Sequence, residues 1–296
     1  MKKSAFVTII GRPSVGKSTL LNKMCGEKVA ITANIPQTTR NAIRGIVNRE
    51  QGQLVFIDTP GRHISRKKFN IRLMEVSQRA VCETDLVLYV LDATRTPGAE
   101  EDEIVSLVSP LAEKTVVAVN KMDIPDADFK RASDYIRGKI TFPVPFDQRI
   151  FSVSAGTGQG INELLLALFE LSPQGDPFYG EEYYTDQETS FRISEIIREQ
   201  AITRLRQELP HSLYVDIADM ELKGNKLWVR AFIIVERESQ KGMVVGKGGE
   251  MIKAIRIASL KNLKNIFDWK IDLDLRVKTG KDWRHNDHTL KYIIER

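Results

Sequence analysis

Cysteine is nearly absent from this sequence of 296 residues: only Cys25 and Cys82 occur, and neither sits at metal-ligand spacing. A disulfide framework and a thiolate metal site are thereby excluded, and the two thiols read as ordinary buried or half-buried side chains. His285 and His288 stand three apart, but two imidazoles without a third ligand belong to a surface rather than to a metal. Long apolar runs are missing too, for none approaches the roughly 20 residues of a membrane span. The apolar stretch of the opening "MKKSAFVTII" is too short for a signal peptide before a glycine loop begins, so a cytoplasmic chain is expected. No internal repeat or low-complexity tract is evident.

What is present is a globular composition with an uneven charge. The length allows two modest cores, hence two domains. The net charge is +5, yet residues 241–296 hold 13 lysines and arginines against 7 aspartates and glutamates. That tail is +6, which leaves −1 for the first 240 residues. A basic module behind a near-neutral domain points to a polyanionic partner, with a solvated lysine-rich face as the alternative.

The runs "FVTII", "LVFID", "LVLYVLDA", "TVVAVN" and "IFSVSA" are short and apolar throughout, as strands buried on both faces of a parallel sheet are. Amphipathic segments lie between them, including 72–82 and 160–171. The reading is an α/β, doubly wound, mostly parallel domain over residues 1–171. Pro, Gly and acidic residues dominate 172–187, which reads as a linker. A second, smaller α+β domain then occupies 188–296. Its helix carries Phe191, Ile193, Ile196, Ile197, Ala201, Ile202 and Leu205 at helical spacing, closed by Pro210. Two strands follow around "KGN", then helical residues interrupted by a second glycine loop, then the strictly alternating strand "WKIDLDLRVK".

The first glycine loop, "GRPSVGKST", carries G-x-x-x-x-G-K-[ST] directly after a strand and before a helix. Its residues Gly11, Arg12, Pro13, Ser14, Val15, Gly16, Lys17, Ser18 and Thr19 form a phosphate loop. Glycines let backbone N–H groups turn inward on phosphate oxygens, and the following helix adds its positive end. Lys17 would reach the β- and γ-phosphates and Ser18 would ligate Mg2+. Three further patterns arrive in the order a GTPase requires. "DTPG" (Asp58, Thr59, Pro60, Gly61) supplies a carboxylate toward Mg2+ and a Gly61 N–H toward the γ-phosphate. "NKMD" (Asn120, Lys121, Met122, Asp123) supplies a carboxylate for guanine N1–H and N2–H, donors that adenine does not present; Asn120 braces the loops and Lys121 lies over the base. "SAG" (Ser154, Ala155, Gly156) supplies an N–H for guanine O6.

The second loop, "VVGKGGEMIKAI", has Gly246, Lys247, Gly248 and Gly249 in G-x-x-G spacing, and no Ser or Thr follows the lysine to hold Mg2+. Such a turn between two helices can pack its backbone on about four single-stranded nucleotides. Alone the motif is weak. The order helix, strand, strand, helix, G-x-x-G, helix, strand resembles the type II KH arrangement, and the module carries the positive charge.

Together the four nucleotide motifs resemble the translation-factor-related GTPases, with "PQTTR" fitting a first switch whose Thr39 is a γ-phosphate-sensing Mg2+ ligand. With "EIIREQ", "RQELPHS", "KGMVVGKGGEMIK" and "VKTGKDWR" added, the chain resembles the Era family over nearly its whole length. The resemblance implies a P-loop GTPase domain followed by a type II KH domain, binding of 16S rRNA near its 3′ end, a part in assembly of the 30S subunit, and peripheral contact with the cytoplasmic face of the membrane. A monomer suffices for all of this. Two positions depart from the family. Ser14 stands where an Asn helps bind a potassium ion (K+), which leaves K+ open; and Arg62 follows "DTPG", where an apolar residue is usual. An arginine cannot accept a proton from water, so Arg62 is read as a solvated switch residue, and hydrolysis is expected to be slow and to rest on positioning by Lys17, Thr39 and Gly61. A base-modifying enzyme is disfavoured, since 188–296 offers no nucleophile-base pair or cofactor fingerprint. The alternative partner for the basic domain is a protein or an anionic lipid.

Overall fold

The computed structural model describes residues 2–33, 35, 38–61, 80–81, 84–206 and 208–294. Most of the helical segment expected at 72–82, together with Cys82, Pro36, Gln37 and Arg62, lies outside these residues. The chain divides into two compact units, one of residues 1–30 and 39–186, the other of 31–38 and 187–296.

In the first unit six strands form one sheet in the order β2-β3-β1-β4-β5-β6. They are β1 Lys3–Ile10, β2 Ile43–Arg49, β3 Gly52–Asp58, β4 Leu86–Asp92, β5 Thr115–Asn120 and β6 Ile150–Ser152. All pair in parallel except β2, which runs antiparallel to β3 at the edge. Every residue of β4 and β5 is buried, the pattern of strands covered on both faces. The helices described here are α1 Lys17–Cys25, α2 Ala99–Val108, α3 Phe129–Arg137 and α4 Ile161–Leu171. Ile104, Val108, Ala132 and Ile136 from α2 and α3 meet Tyr89, Leu91, Val117 and Val119 in one cluster.

The five apolar runs are β1, β3, β4, β5 and β6. The edge strand β2 was not among them, because "IRGIVNR" alternates poorly and carries two arginines. Residues 172–186, linker-like in composition, are held along this edge. Ile46 N–H donates to the Tyr184 carbonyl at 2.9 Å, Thr185 Oγ1 to Arg44 O at 2.7 Å, and Asn48 Nδ2 to the carbonyls of Glu181 and Tyr183. The strap satisfies backbone groups that an open edge would leave to solvent or to another chain.

The second unit has a three-stranded sheet of β7 Leu213–Lys223, β8 Lys226–Val235 and β9 Lys270–Thr279, with β7 antiparallel and β9 parallel to the central β8. A two-residue turn at Gly224 (φ 58°) and Asn225 closes the hairpin. Helices α5 Thr189–Arg204, α6 Glu238–Val245, α7 Glu250–Lys264 and α8 Asp287–Ile294 complete it. Ile193, Ile197, Ala201, Val229, Ala231, Ile255 and Leu273 form its core, and Ile31 is buried among them. Trp283 is 2% exposed, donates its indole N–H to Ser212 O at 3.1 Å, and sits edge-on to Tyr214. Within the motif "VKTGKDWR" it is Trp283 that is buried in this unit. Among the described residues no helix is long and apolar enough to cross a membrane.

Candidate functional site: a nucleotide pocket and a glycine loop

The carboxyl ends of the parallel strands carry the candidate residues, as an α/β sheet dictates. After β1 the chain turns through the phosphate loop into α1. Ser14 and Gly16 adopt left-handed φ values of 64° and 98°. A Cβ on Gly16 would lie 2.5 Å from Asn120 Nδ2, so only glycine fits there. No side chain caps α1, whose first N–H groups are therefore available to an anion. Lys17 is 6% exposed, and its ammonium donates to the carbonyls of Gly11 (3.0 Å) and Arg12 (3.1 Å). Burial lowers its pKa to about 8, against the opposing pull of Asp58; the neighbouring Arg12 charge lowers it further.

The three residues proposed from sequence as magnesium ligands come together. Ser18 Oγ donates to Asp58 Oδ2 at 2.6 Å and lies 2.8 Å from Thr39 Oγ1, which is 3.3 Å from the same carboxylate oxygen. Asp58 is fully buried, and its Oδ1 has no hydrogen-bond partner among the described residues. Burial raises its pKa, while Lys17 and the two hydroxyls pull it back. Two hydroxyls and one carboxylate with an unclaimed oxygen are a hard oxygen donor set, and they fit Mg2+. Bound there, the ion would neutralise charge on phosphate oxygens. Among the described residues no cluster of three or more His, Cys, Asp or Glu offers a softer metal site.

Gly61 follows β3, with Thr59 fixed by donation to the Ile9 carbonyl at 2.8 Å. A Cβ on Gly61 would come within 2.7 Å of Pro13 and 3.0 Å of Lys17 Nζ. Its N–H thus lies beside the phosphate loop.

Asn120 braces the loops that carry the base-reading candidates, and in doing so engages the Ala155 N–H expected at guanine O6. Asn120 Nδ2 donates to Val15 O at 2.8 Å, and its Oδ1 accepts from Ala155 N–H at 2.9 Å. One side chain therefore ties the phosphate loop to both guanine loops. Ser154 Oγ donates to Asp123 Oδ1 at 2.6 Å and accepts from Thr157 N–H at 3.0 Å, which sets the orientation of the Asp123 carboxylate. Met122 N–H donates to Val153 O. Gly156 is exposed beside Asp123. Lys121 has a left-handed φ of 69°, and its ammonium is bound by Asp92 at 2.8 Å. Asp92 and the buried Glu101 escaped the sequence reading, since nothing in "LVLYVLDA" or in the acidic first turn of α2 marks a carboxylate as facing inward.

Both domains are matched by family models, "50S ribosome-binding GTPase" at residues 6–121 and "KH domain" at 208–284. The chain is 51% identical to GTPase Era of Treponema denticola over 294 residues, covering 98% of this chain and 99% of that one. It belongs to the Era family of GTPases. GTPase Era of Borreliella burgdorferi is 44% identical over 292 residues, 99% of each chain. A crystal structure of a tyrosine-to-alanine variant of Aquifex aeolicus Era, bound to GDP.AlF4−, matches with a TM-score of 0.90 at 30% identity, covering 98% of both chains. Era in complex with MgGDPNP and nucleotides 1506–1542 of 16S ribosomal RNA matches with the same score and coverage at 29% identity. This Era-family chain is accordingly a GTPase, a P-loop domain followed by a KH domain.

In the KH unit the glycine loop joins α6 to α7. Gly246, Gly248 and Gly249 have φ of 76°, 60° and 81°, so three of four residues have positive φ. A Cβ on Gly246 would press on Met251 at 2.8 Å, but one on Gly248 or Gly249 would meet nothing within 4 Å. The last two face open space, where another backbone can approach, and Lys247 beside them is exposed. No side chain caps α7, whose amino end adds positive potential.

Proposed function

We propose that this chain is a GTP-driven RNA-binding switch that binds 16S rRNA near its 3′ end and assists assembly of the 30S subunit. The carrying observation is one chain that holds both a braced guanine-nucleotide pocket and an open G-x-x-G turn with an exposed lysine. The Era structure holding MgGDPNP and 16S nucleotides 1506–1542, which matches over 98% of both chains, supports this choice of ligand. Gly246, Lys247, Gly248 and Gly249 grip the sugar-phosphate chain; Lys17, Ser18, Thr39, Asp58 and Gly61 hold the phosphates with Mg2+; Asp123 reads guanine, whereas the Ala155 N–H expected at guanine O6 is held by Asn120. Hydrolysis is slow because these groups position and neutralise rather than abstract a proton. Ser14 stands where the family's amide helps bind K+, so comparing turnover with and without K+ decides whether the ion is used. The site of action is the cytoplasm, with peripheral membrane contact through the basic face.

Nucleotide state governs RNA docking, and RNA in turn changes GTP affinity by the same factor. The test measures binding of the GTP-analogue-loaded chain to a short 16S 3′ strand against a scrambled strand across several salt concentrations. Selective binding with a salt slope of about 0.7 per phosphate contact is expected. The double substitution Lys247→Glu, Gly248→Asp should abolish it. Weak, sequence-blind binding that survives the substitution would favour lipid or protein as the partner.

A further inference from the structure

Four charges, three of them buried, link the phosphate loop to the base loop. Asp92 ends β4 with its side chain 1% exposed. Its Oδ2 accepts the Lys121 ammonium at 2.8 Å and stands 3.5 Å from Arg12 Nη2. Its Oδ1 is held by Thr94, through the backbone N–H at 3.0 Å and the hydroxyl at 2.6 Å. Arg12 also pairs through Nε with Glu101, whose other oxygen accepts the Gly98 N–H at 3.1 Å. Two cations and two carboxylates balance, so the group carries no net charge.

The placement gives this group a task. Arg12 belongs to the loop that wraps phosphate, and Lys121 to the loop that reads the base. Both close on one carboxylate. Lys121 also holds a left-handed backbone that a non-glycine residue adopts only when its surroundings fix it, and such strain gathers at functional sites. Its ammonium is turned toward Asp92. Burial alone would push the Asp92 carboxyl up, but the Lys121 and Thr94 hydrogen bonds outweigh it and hold the group below the ordinary range, ionised at neutral pH.

We propose that Asp92 is a positioning residue of the nucleotide site, fixing the base loop through Lys121 and the phosphate loop through Arg12 so that the two grip one nucleotide at a set spacing. This rests on the guanine-nucleotide reading of the pocket. It differs from the brace made by Asn120, which joins loop backbones, because Asp92 acts on charged side chains.

The test is a double-substitution cycle on the full chain, reading affinity for a fluorescent GDP and its dissociation rate with Mg2+ present. Asp92→Asn should weaken GDP binding about tenfold, mainly by faster dissociation, and Lys121→Met by a comparable factor. In the Lys121→Met background the Asp92→Asn change should cost less than about threefold, since only the longer contact to Arg12 is left for it to act through. Costs that multiply would mean that Asp92 does not act through Lys121, and that result overturns the proposal. If Asp92→Asn fails to fold, Thr94→Val keeps every charge while freeing the carboxylate to rotate. It should show the same loss, again only when Lys121 is present, and multiplying costs there are equally fatal. The unsubstituted chain is titrated with GDP and ADP in parallel: equal affinity overturns the guanine reading and Asp92's task with it, whereas a GDP preference with multiplying costs overturns the role of Asp92 alone.

Discussion

At the scale of single residues the pocket shows chemistry that burial has prepared for an anion. Lys17, 6% exposed, has its pKa lowered to about 8 by burial before any phosphate arrives, and its ammonium donates to the loop's own carbonyls. A bound phosphate favours the charged form and raises that pKa again. The sign follows: below pH 8 Lys17 is already protonated and binding takes up nothing, while above pH 8 binding must draw a proton, so affinity falls as pH rises. Calorimetric titration with GDP at pH 8.5, in two buffers of unlike ionisation heat, should show uptake of a large part of one proton, and at pH 7 almost none. No uptake at pH 8.5 would place the lysine's pKa elsewhere. Legibility at this scale divides cleanly. Candidate residues grouped by local spacing, such as Gly16, Lys17, Asn120 and Asp123, are readable as motifs, because each motif is written within a few positions. Asp92 and Glu101 were not, because what makes them matter is Arg12, 80 and 89 positions away in the chain.

Among the elements, the parallel strands were readable from apolar runs alone, since burial on both faces admits little else. The edge strand β2 and helix α3 were hidden because each carries few apolar residues: Arg44, Gly45, Asn48 and Arg49 break up β2, and α3 buries only Ala132, Ser133 and Ile136. The strap over β2 was hidden further, because composition reports polarity and not what a polar segment is bonded to. Gln53 is its anchor. Fully buried on β3, it donates to Asn48 Oδ1 (2.8 Å) and Tyr179 O (2.9 Å) and accepts from the N–H groups of Phe178 (2.8 Å) and Tyr179 (3.0 Å). All four hydrogen-bonding positions of the amide are in use. Gln53→Leu keeps the bulk but leaves those partners unmatched, and should lower the stability of the first unit by about 2–3 kcal/mol in urea unfolding. A loss below about 0.5 kcal/mol would mean the strap is held by other contacts.

For the molecule as a whole, the division of the chain does not follow its order. Residues 31–38 group with the second unit, whereas Thr39, the next residue, stands with Ser18 and Asp58 in the first. Within the second unit Glu199 accepts the Thr32 N–H at 2.8 Å, Arg198 donates to the Thr38 carbonyl, and Ile31 lies in the core at 5% exposed. The motif "EIIREQ", legible only as a family mark, thus supplies both side chains that hold this segment. A charge at position 31 should therefore act on the second unit: Ile31→Asp is expected to cost about 3 kcal/mol or more by leaving an unpaired carboxylate in an apolar core. Differential scanning calorimetry of the full chain would show it as a lowered KH transition, and an unchanged one would move Ile31 out of that core.

The same allegiance of residues 31–38 decides how this chain can be recombined with its relatives. A chimera joined only near residue 187 would graft a foreign KH module beside a native 31–38 segment, whose Ile31 would have to fit a core of other side chains. The transplantable unit is discontinuous: it comprises residues 187–296 together with eight residues lifted from the middle of the GTPase sequence.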